Sequence, residues 1–399
     1  MNYRLLILVL GTFIIGTDDF VIAGLLPSIA NDMNVSIATA GQLVTAFAIA
    51  YAVGAPVLGT LTLNIPVKTL LVVSMIVFTI ANCLSAVVTS LELLFITRIL
   101  ASLAAAVFTP LAMAASTSLV PDTMRGKALS FVIAGITVGL ILGAPIGTSI
   151  GNTLTWRYSF VFVAVISLIT VIGVMIFLPK IEREVSLSIK ERLKSFNKII
   201  ILTLSVSIIS TTGGFMTYTY IAPIITEITS VENISIFLFL LGIGALFGNL
   251  VGGYLTDRIG APKTLKLSLF GFSILLAVFS LLMLLTPSTL SIILVGLVSL
   301  LWGIPGFGMN PALNSFLISL NPSQASMILS FSASALYMGI GLGAIVGGGV
   351  ISISSIKYVG IGSAILVIVA LIIFVFVNRA TDKKASISNQ NYSGQFDTP

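Results

Sequence analysis

Apolar residues run for about twenty positions at a time along nearly the whole chain of 399 residues, and polar residues gather in the short gaps between the runs. Stretches such as Leu70–Ile80 and Ile361–Val377 hold no charge at all. An α-helix rises 1.5 Å per residue, so about twenty apolar residues cross the roughly 30 Å hydrocarbon core of a bilayer. Buried helices of a soluble protein are the alternative, but the runs recur too regularly and too often for that. The pattern predicts twelve spans, at about 5–27, 39–61, 69–89, 93–119, 128–151, 158–178, 199–222, 235–255, 264–285, 289–317, 327–351 and 358–378. The expected fold class is therefore an all-α membrane protein.

Composition sharpens this. Hydrophobic residues make up 57% of the chain and charged residues 8%, against roughly 25% charged in a soluble domain. No soluble core of this length hides so much apolar surface behind so few charges. The chain has no histidine, which removes histidine proton relays and most triad and metal chemistry, so neither a metal nor a cofactor is expected. Its one cysteine, Cys83, excludes an internal disulfide and reads as a small packed residue. The N-terminal run lacks a small-residue cleavage pattern and more spans follow it, so it reads as a retained first helix. The net charge of +6 does not point to nucleic acid, because the basic residues are scattered over short loops.

Their distribution orients the chain instead. With both termini in the cytoplasm, 16 of the 19 Lys and Arg residues fall on the inner side, Arg157 and Lys357 lie outside, and Arg98 lies within a span. Cytoplasmic loops carry the excess of Lys and Arg, so both termini are expected inside. The longest interior polar stretch, 179–198, separates six spans from six. The expected organisation is an N-terminal half over 1–178, a cytoplasmic linker over 179–198 with a short surface helix, a C-terminal half over 199–378, and a disordered cytoplasmic tail over 379–399.

The halves echo each other. Leu129–Thr148 (LSFVIAGITVGLILGAPIGT) and Leu329–Gly348 (LSFSASALYMGIGLGAIVGG) share eight of twenty positions at an offset of 200. Pro110 and Pro121 match Pro311 and Pro322 at an offset of 201. Repeated halves place a substrate site between them near mid-membrane, reached alternately from each side. Small residues four apart mark single helix faces: Gly135, Gly139, Gly143, Gly147 and Gly151; Gly244, Gly248 and Gly252; Gly339, Gly343 and Gly347; Ala46, Ala50 and Gly54. Such stripes let helix backbones approach closely in lipid. Any one stripe is explained by static packing; four at equivalent places suggest a seam on which the halves rock. Gly339, Gly341 and Ala344 also spell a dinucleotide-like GxGxxA, but inside a span with no preceding strand, and no GxxxxGK[ST] motif is present to use ATP.

Three ionisable side chains fall well inside spans: Asp18 and Asp19 in the first and Arg98 in the fourth. Each costs about 2.5–3.5 kcal/mol or more at mid-membrane unless sheltered, so each is a functional candidate. Asp19 lies about 21 Å along its helix from Leu5. Arg98 enters from the opposite side, about 9 Å in from Glu92, so an Asp–Arg pair is geometrically feasible. It reads either as a fixed salt bridge pinning two helices or as a proton site whose affinity changes with hydration and with distance from the arginine. Asp18 and Asp19 point about 100° apart around the helix, so only one is expected to face the cavity. The half-to-half offset carries Arg98 onto Ser299, so this charge is not duplicated.

These residues resemble the drug:proton antiporter branch of the major facilitator superfamily, in particular bacterial sugar-efflux, purine-efflux and chloramphenicol-resistance carriers. The resemblance spans about residues 5–378 and rests on GTDDFVIAGLLPSIA (16–30), AGQLVTAFAIAYAVGAP (40–56), Arg98, GLILGAPIGTSIG (139–151), WRYSF (156–160) and GGYLTDRIGAPK (252–263). It implies an antiporter motif at Gly139, Gly143, Pro145 and Gly147, a first-span acid at Asp19 and a fourth-span arginine at Arg98. Its loop signature is degenerate after span two, where only Gly59 and Lys68 match. The fuller copy after span eight implies a cytoplasmic gate at Gly253, Asp257, Arg258 and Lys263.

The resemblance also implies a cavity lined by spans one, four, seven and ten. Its expected liners are Phe20, Phe108, Thr212, Phe215, Tyr218, Trp302, Asn310 and Asn314, with Tyr51 and Tyr337 nearby. An aromatic lining with few polar groups suits amphipathic solutes. The expectation is a monomeric, multi-pass carrier of the bacterial cell membrane, exporting small amphipathic molecules or drugs in exchange for protons. The alternative is efflux of sugars or of purine nucleosides and bases. An intramembrane enzyme lacks a nucleophile–base or metal constellation, and a channel has no need of two halves with one coupling charge.

Overall fold

The computed structural model of the protein describes residues 3–181 and 197–393. Most of the predicted linker, 182–196, and the end of the tail, 394–399, lie outside the described residues. Among the described residues there are twelve helices long and apolar enough to cross a membrane, and no strand. They are α1 (Tyr3–Asp32), α2 (Ile37–Leu61), α3 (Val67–Val87), α4 (Leu91–Ser118), α5 (Asp122–Thr153), α6 (Trp156–Phe177), α7 (Lys198–Thr219), α8 (Ser235–Ile259), α9 (Ala261–Leu282), α10 (Thr289–Leu320), α11 (Met327–Ile353) and α12 (Ile356–Thr381). The helix containing α12 continues to Ser393, where the sequence predicts a tail without regular structure.

The predicted seventh span is cut short. α7 ends at Thr219 and a separate helix, Ile221–Thr229, follows. The cause is Pro223, which has no N–H for the Thr219 carbonyl and whose ring crowds it, so the chain breaks at Tyr220. A second irregularity lies in α5, where Gly139–Gly143 form a π-turn and the Ala144 N–H bonds back to the Gly139 carbonyl. Pro145 cannot donate to Ile141, and widening the turn by one residue relieves the clash of its ring. At the end of α8, Gly260 adopts φ +87°, which only glycine takes up freely, and this allows the sharp step into α9.

α1–α6 pack into one lobe and α7–α12 into another. Polar side chains tie helices within each lobe: Thr12 donates to Val132 O (2.8 Å), Thr79 pairs with Ser167 (2.8 Å), and Thr217 pairs with Ser363 (2.8 Å). At the end away from the chain termini, Arg157 binds Asp32 (2.6 Å) and the Val88 carbonyl (3.1 Å), fastening α6 to α1 and α3. Large apolar side chains such as Ile172, Met175, Leu250, Ile293, Ile365 and Phe376 are exposed around the outside, as a lipid solvent allows. Cys83 belongs to this outer surface. The expected packed thiol is thus corrected: its place on α3 turns it away from the lobe, between α3 and α6.

The glycine stripes lie inside the lobes, which corrects the reading of them as a rocking seam. Gly135, Gly139, Gly143, Gly147 and Gly151 press against α1, at Thr12, Phe13, Thr17, Val21 and Leu25. Gly339, Gly343 and Gly347 press equivalently against α7, and Gly244, Gly248 and Gly252 against α10. Gly54 faces Leu103 and Ala106 of α4. Each of the three glycine stripes is a close-packed helix pair internal to its own lobe.

The lobes meet elsewhere. α2 runs antiparallel to α11, where Thr45 donates to Gly341 O (3.3 Å) and Gln42 to Ala344 O (3.4 Å). The π-turn of α5 lies against α8, with Ile141 beside Gly242. α1 meets the end of α7, where the Tyr218 hydroxyl donates to Phe20 O (3.1 Å). These contacts lie from the middle of the spans toward the end opposite the termini. At the termini end, Gly59, Gly126 and Gly253 have open space beside them, and Asp257 and Arg258 are exposed. Among the described residues, buried apolar side chains within 20–48 of the first lobe share one hydrophobic core with the second lobe, whereas the first-lobe core nearer the termini meets the second lobe only through Tyr337. The lobes therefore close at the end opposite the termini and splay at the termini end.

Candidate functional site

The adjacent aspartates of α1 take opposite roles, because one residue turns a helix by about 100°. Asp18 is fully buried inside the first lobe and binds Arg98 of α4 at 2.8 Å. Arg98 also donates to Asn82 (3.0 Å) and Ser85 (2.7 Å) of α3, and its guanidinium lies 4.4 Å from the Phe160 ring centroid of α6. Every partner of this arginine belongs to α1, α3 or α6. A desolvated ion pair is costly unless further hydrogen bonds satisfy its charges. Asn82 and Ser85 do so for one guanidinium nitrogen, while Asp18 Oδ2 and Arg98 Nε are buried without a hydrogen bond. The predicted Asp–Arg pair thus forms through Asp18. Ser299, at the matching place in α10, is buried with no side-chain hydrogen bond.

Asp19 points the other way, across the junction between the lobes. Its carboxylate accepts a hydrogen bond of 2.6 Å from the Tyr337 hydroxyl of α11. Tyr337 stacks on Tyr51 of α2, with centroids 3.6 Å apart and ring planes 14° apart. A carboxylate from α1, a ring from α2 and a phenol from α11 thus meet where the two lobes begin to separate.

Beside them lies an aromatic group from both lobes. Phe20 stacks with Phe215 (6.4 Å) and meets Tyr218 edge-on (5.7 Å), and Tyr218 reaches Trp302 (6.2 Å). Trp302 continues into the second lobe against Phe272 and Phe279 of α9. Phe20, Phe215, Tyr218 and Trp302 are therefore brought together by ring contacts, and Tyr51 and Tyr337 form a second group with Asp19.

Others are not brought to this junction. Phe108 is fully buried within the first lobe beside Gly11 and Met75, so it is core and no cavity liner. Thr212 spends its hydroxyl on Ile208 O (2.7 Å) and lies under Gly343 in the α7–α11 packing. Asn310 and Asn314 of α10 are half-buried, and Asn314 accepts from Ser332 (2.7 Å). Gly139 and Gly143 bound the π-turn that carries Ile141 to the second lobe, Pro145 follows it, and Gly147 packs on Val21 of α1. Arg258 lies over the Tyr254 ring (5.3 Å), Lys263 is exposed, and neither these nor Asp257 forms an ion pair among the described residues. Lys68, of the degenerate copy, instead caps the Leu178 carbonyl at 2.6 Å.

Sequence reasoning passed over Asn82 and Ser85, the partners of Arg98, and Gln42 and Thr45, the cross-lobe donors. The signal was present: each is a polar side chain within an otherwise apolar span, where it needs a partner. Among the described residues no three His, Cys, Asp or Glu side chains gather as a metal site.

Comparison with known proteins agrees with this architecture. The family description "Major Facilitator Superfamily" matches residues 8–328 and again 204–392. The inner membrane transport protein YdhP of Escherichia coli (strain K12) is 32% identical over 394 residues, covering 98% of this chain and 99% of YdhP. A chloramphenicol resistance protein of Streptomyces lividans is 32% identical over 265 residues, covering 65% of this chain and 68% of that protein. Among solved structures, an aspartate-to-alanine variant of the nucleoside transporter NupG superposes with a TM-score of 0.78 at 17% identity, covering 94% of this chain and all (100%) of that one.

Proposed function

The chain belongs to the Major Facilitator Superfamily, a family of transporters and not of enzymes, and from that premise we propose that it is a proton-coupled exporter of small amphipathic molecules. It is a multi-pass protein of the bacterial inner membrane. In this reading both termini are cytoplasmic, the splayed end opens to the cytoplasm, and the protein works as a monomer. The lobes rock about the α2–α11 and α5–α8 contacts, exposing the junction to each side in turn.

The observation that carries the reading is Asp19, the acidic side chain at the junction between the lobes, hydrogen-bonded to the opposite lobe. A carboxylate there gains or loses a proton as the junction is hydrated from one side or the other. Asp18 is unsuited to that task, because it is enclosed with Arg98 inside a single lobe. The aromatic side chains of Phe20, Phe215 and Tyr51 at the junction suit an amphipathic solute with few polar groups.

Proton-gradient-driven flux into everted vesicles tests this, across amphipathic drugs, sugars and purine nucleosides. Wild type is expected to move at least one amphipathic compound uphill. Asp19→Asn is expected to lose uphill transport and to keep downhill exchange. Uphill transport surviving in Asp19→Asn sinks the coupling assignment, and uptake of sugars or nucleosides alone shifts the substrate to the polar alternative.

A further inference from the structure

We propose that Tyr337 is the positioning residue that converts the charge on Asp19 into closure of the lobes at the end opposite the termini. The inference rests on the assignment of Asp19 above and adds the element that reads its charge.

The argument begins with which contacts cross between lobes. On α11, Tyr337, Gly341, Ala344 and Gly348 fall three or four residues apart and so share one face. Opposite them on α2 lie Tyr51, Thr45 and Gln42, in reverse order. The ladder runs from the Tyr51–Tyr337 stack, through Thr45 to Gly341 O, to Gln42 and Ala344 O. The last two are neutral hydrogen bonds of 3.3 and 3.4 Å, long for their kind. The first rung differs, because the Tyr337 hydroxyl donates to a carboxylate at 2.6 Å. Hydrogen bonds to an ionised acceptor are shorter and roughly twice as strong as neutral ones. Of the rungs on this ladder, that one alone changes strength with protonation.

The charged and titratable groups around Asp19 are few. α1 itself offers Asp18, which is turned to Arg98 of α4. α2 offers Tyr51, stacked on Tyr337. α7 offers Tyr218, whose hydroxyl is spent on Phe20 O. α11 offers Tyr337. Tyr337 is therefore the hydroxyl that registers the charge of Asp19 from the other lobe. With Asp19 ionised, the rung holds α11 against α1 and α2, which is the arrangement observed. Protonation replaces the carboxylate by a neutral acid and weakens the rung, freeing the ladder to part. Removal of the hydroxyl uncouples the ladder from the proton while leaving the stacked ring in place.

The test uses full-length protein in lipid nanodiscs, with Cys83 replaced by Ser and spin labels at Asn31 and Glu232, which are exposed at the closed end of opposite lobes. Distance distributions are recorded at alkaline and acidic pH. The reference protein is expected to shift toward longer distances on acidification, with about a tenfold fall in the closed-to-open ratio, equivalent to roughly 1.4 kcal/mol. Asp19→Asn is expected to show the longer population at both pH values. Tyr337→Phe is expected to lose the pH response and to add nothing to Asp19→Asn in the double variant. A Tyr337→Phe protein that keeps the full pH response, while Asp19→Asn loses it, overturns the role of Tyr337 and spares that of Asp19. A pH response retained in both variants overturns the assignment of Asp19 as well.

Discussion

At the scale of single residues, one step along α1 separates a charge enclosed within one lobe from a charge at the junction of the two. The sequence places two aspartates and an arginine at similar depth, and depth follows from rise per residue alone. Azimuth does not, because it depends on which neighbour α1 turns toward. The sequence therefore reveals that a pair forms but not which aspartate joins it, and the family likeness points Arg98 and Asp19 to one function when Arg98 is bonded to Asp18. The enclosure of that pair predicts its behaviour. Asp18→Asn or Arg98→Met leaves a buried charge without its partner, and each is expected to cost roughly 3–5 kcal/mol. The double variant is expected to recover much of the loss, since removing both charges spares the desolvation. Arg98→Lys should not rescue the single loss, because an ammonium lacks the planar fork that reaches Asp18, Asn82 and Ser85 together. Thermal unfolding in detergent reads all four. Asp19→Asn is expected to melt close to wild type, its partner being a single tyrosine on the other lobe.

At the scale of elements, the twelve helices were legible because length and apolarity decide membrane crossing. Their partners were not. A small-residue stripe says that another backbone comes close without saying whose. Here each long stripe faces a helix of its own lobe, and the cross-lobe face of α11 lies one or two residues over, on Gly341, Ala344 and Gly348. The π-turn is equally silent in a propensity reading, though Pro145 marks it, and α11 has no proline there and stays regular. Contact geometry separates glycines that packing demands from those it does not. A Cβ on Gly139 sits 2.6 Å from Phe13 O and 2.8 Å from Thr17 N, both backbone atoms that cannot step aside. Gly139→Ala is therefore expected to destabilise the first lobe by about 1–3 kcal/mol. Gly349, with nothing within 4 Å, is expected to accept alanine with a gain of about 0.5–1 kcal/mol. Melting temperatures of the two variants, side by side, check the contrast.

At the scale of the molecule, duplication predicts two lobes and a site between them, and both follow from offsets of 200 and 201 in the sequence. Which end is closed does not follow, because one sequence must support both openings and the pattern is common to each. The structure holds the lobes together at the end away from the termini, through residues that look unremarkable in the sequence. That location yields a test by wedge. A Cβ on Gly348 meets the Tyr220 hydroxyl at 2.7 Å and Gln42 Nε2 at 2.9 Å, so a leucine there pushes α2 from α11 and displaces the Tyr220 side chain, whose ring also packs on Gly347, while leaving the Gly339 and Gly343 contacts with α7 alone. Gly348→Leu is expected to fold, to favour the opposite opening, and to raise the reactivity of a cysteine placed at Thr45 toward a membrane-impermeant maleimide added from the side opposite the termini. Gly339→Leu, driven against Ile208 O and Thr211, is expected instead to lower stability and leave that reactivity unchanged in the folded fraction. If the two variants behave alike, the α2–α11 ladder is ordinary packing and the hinge between the lobes lies elsewhere, with the α5–α8 contact at Ile141 and Gly242 next in line.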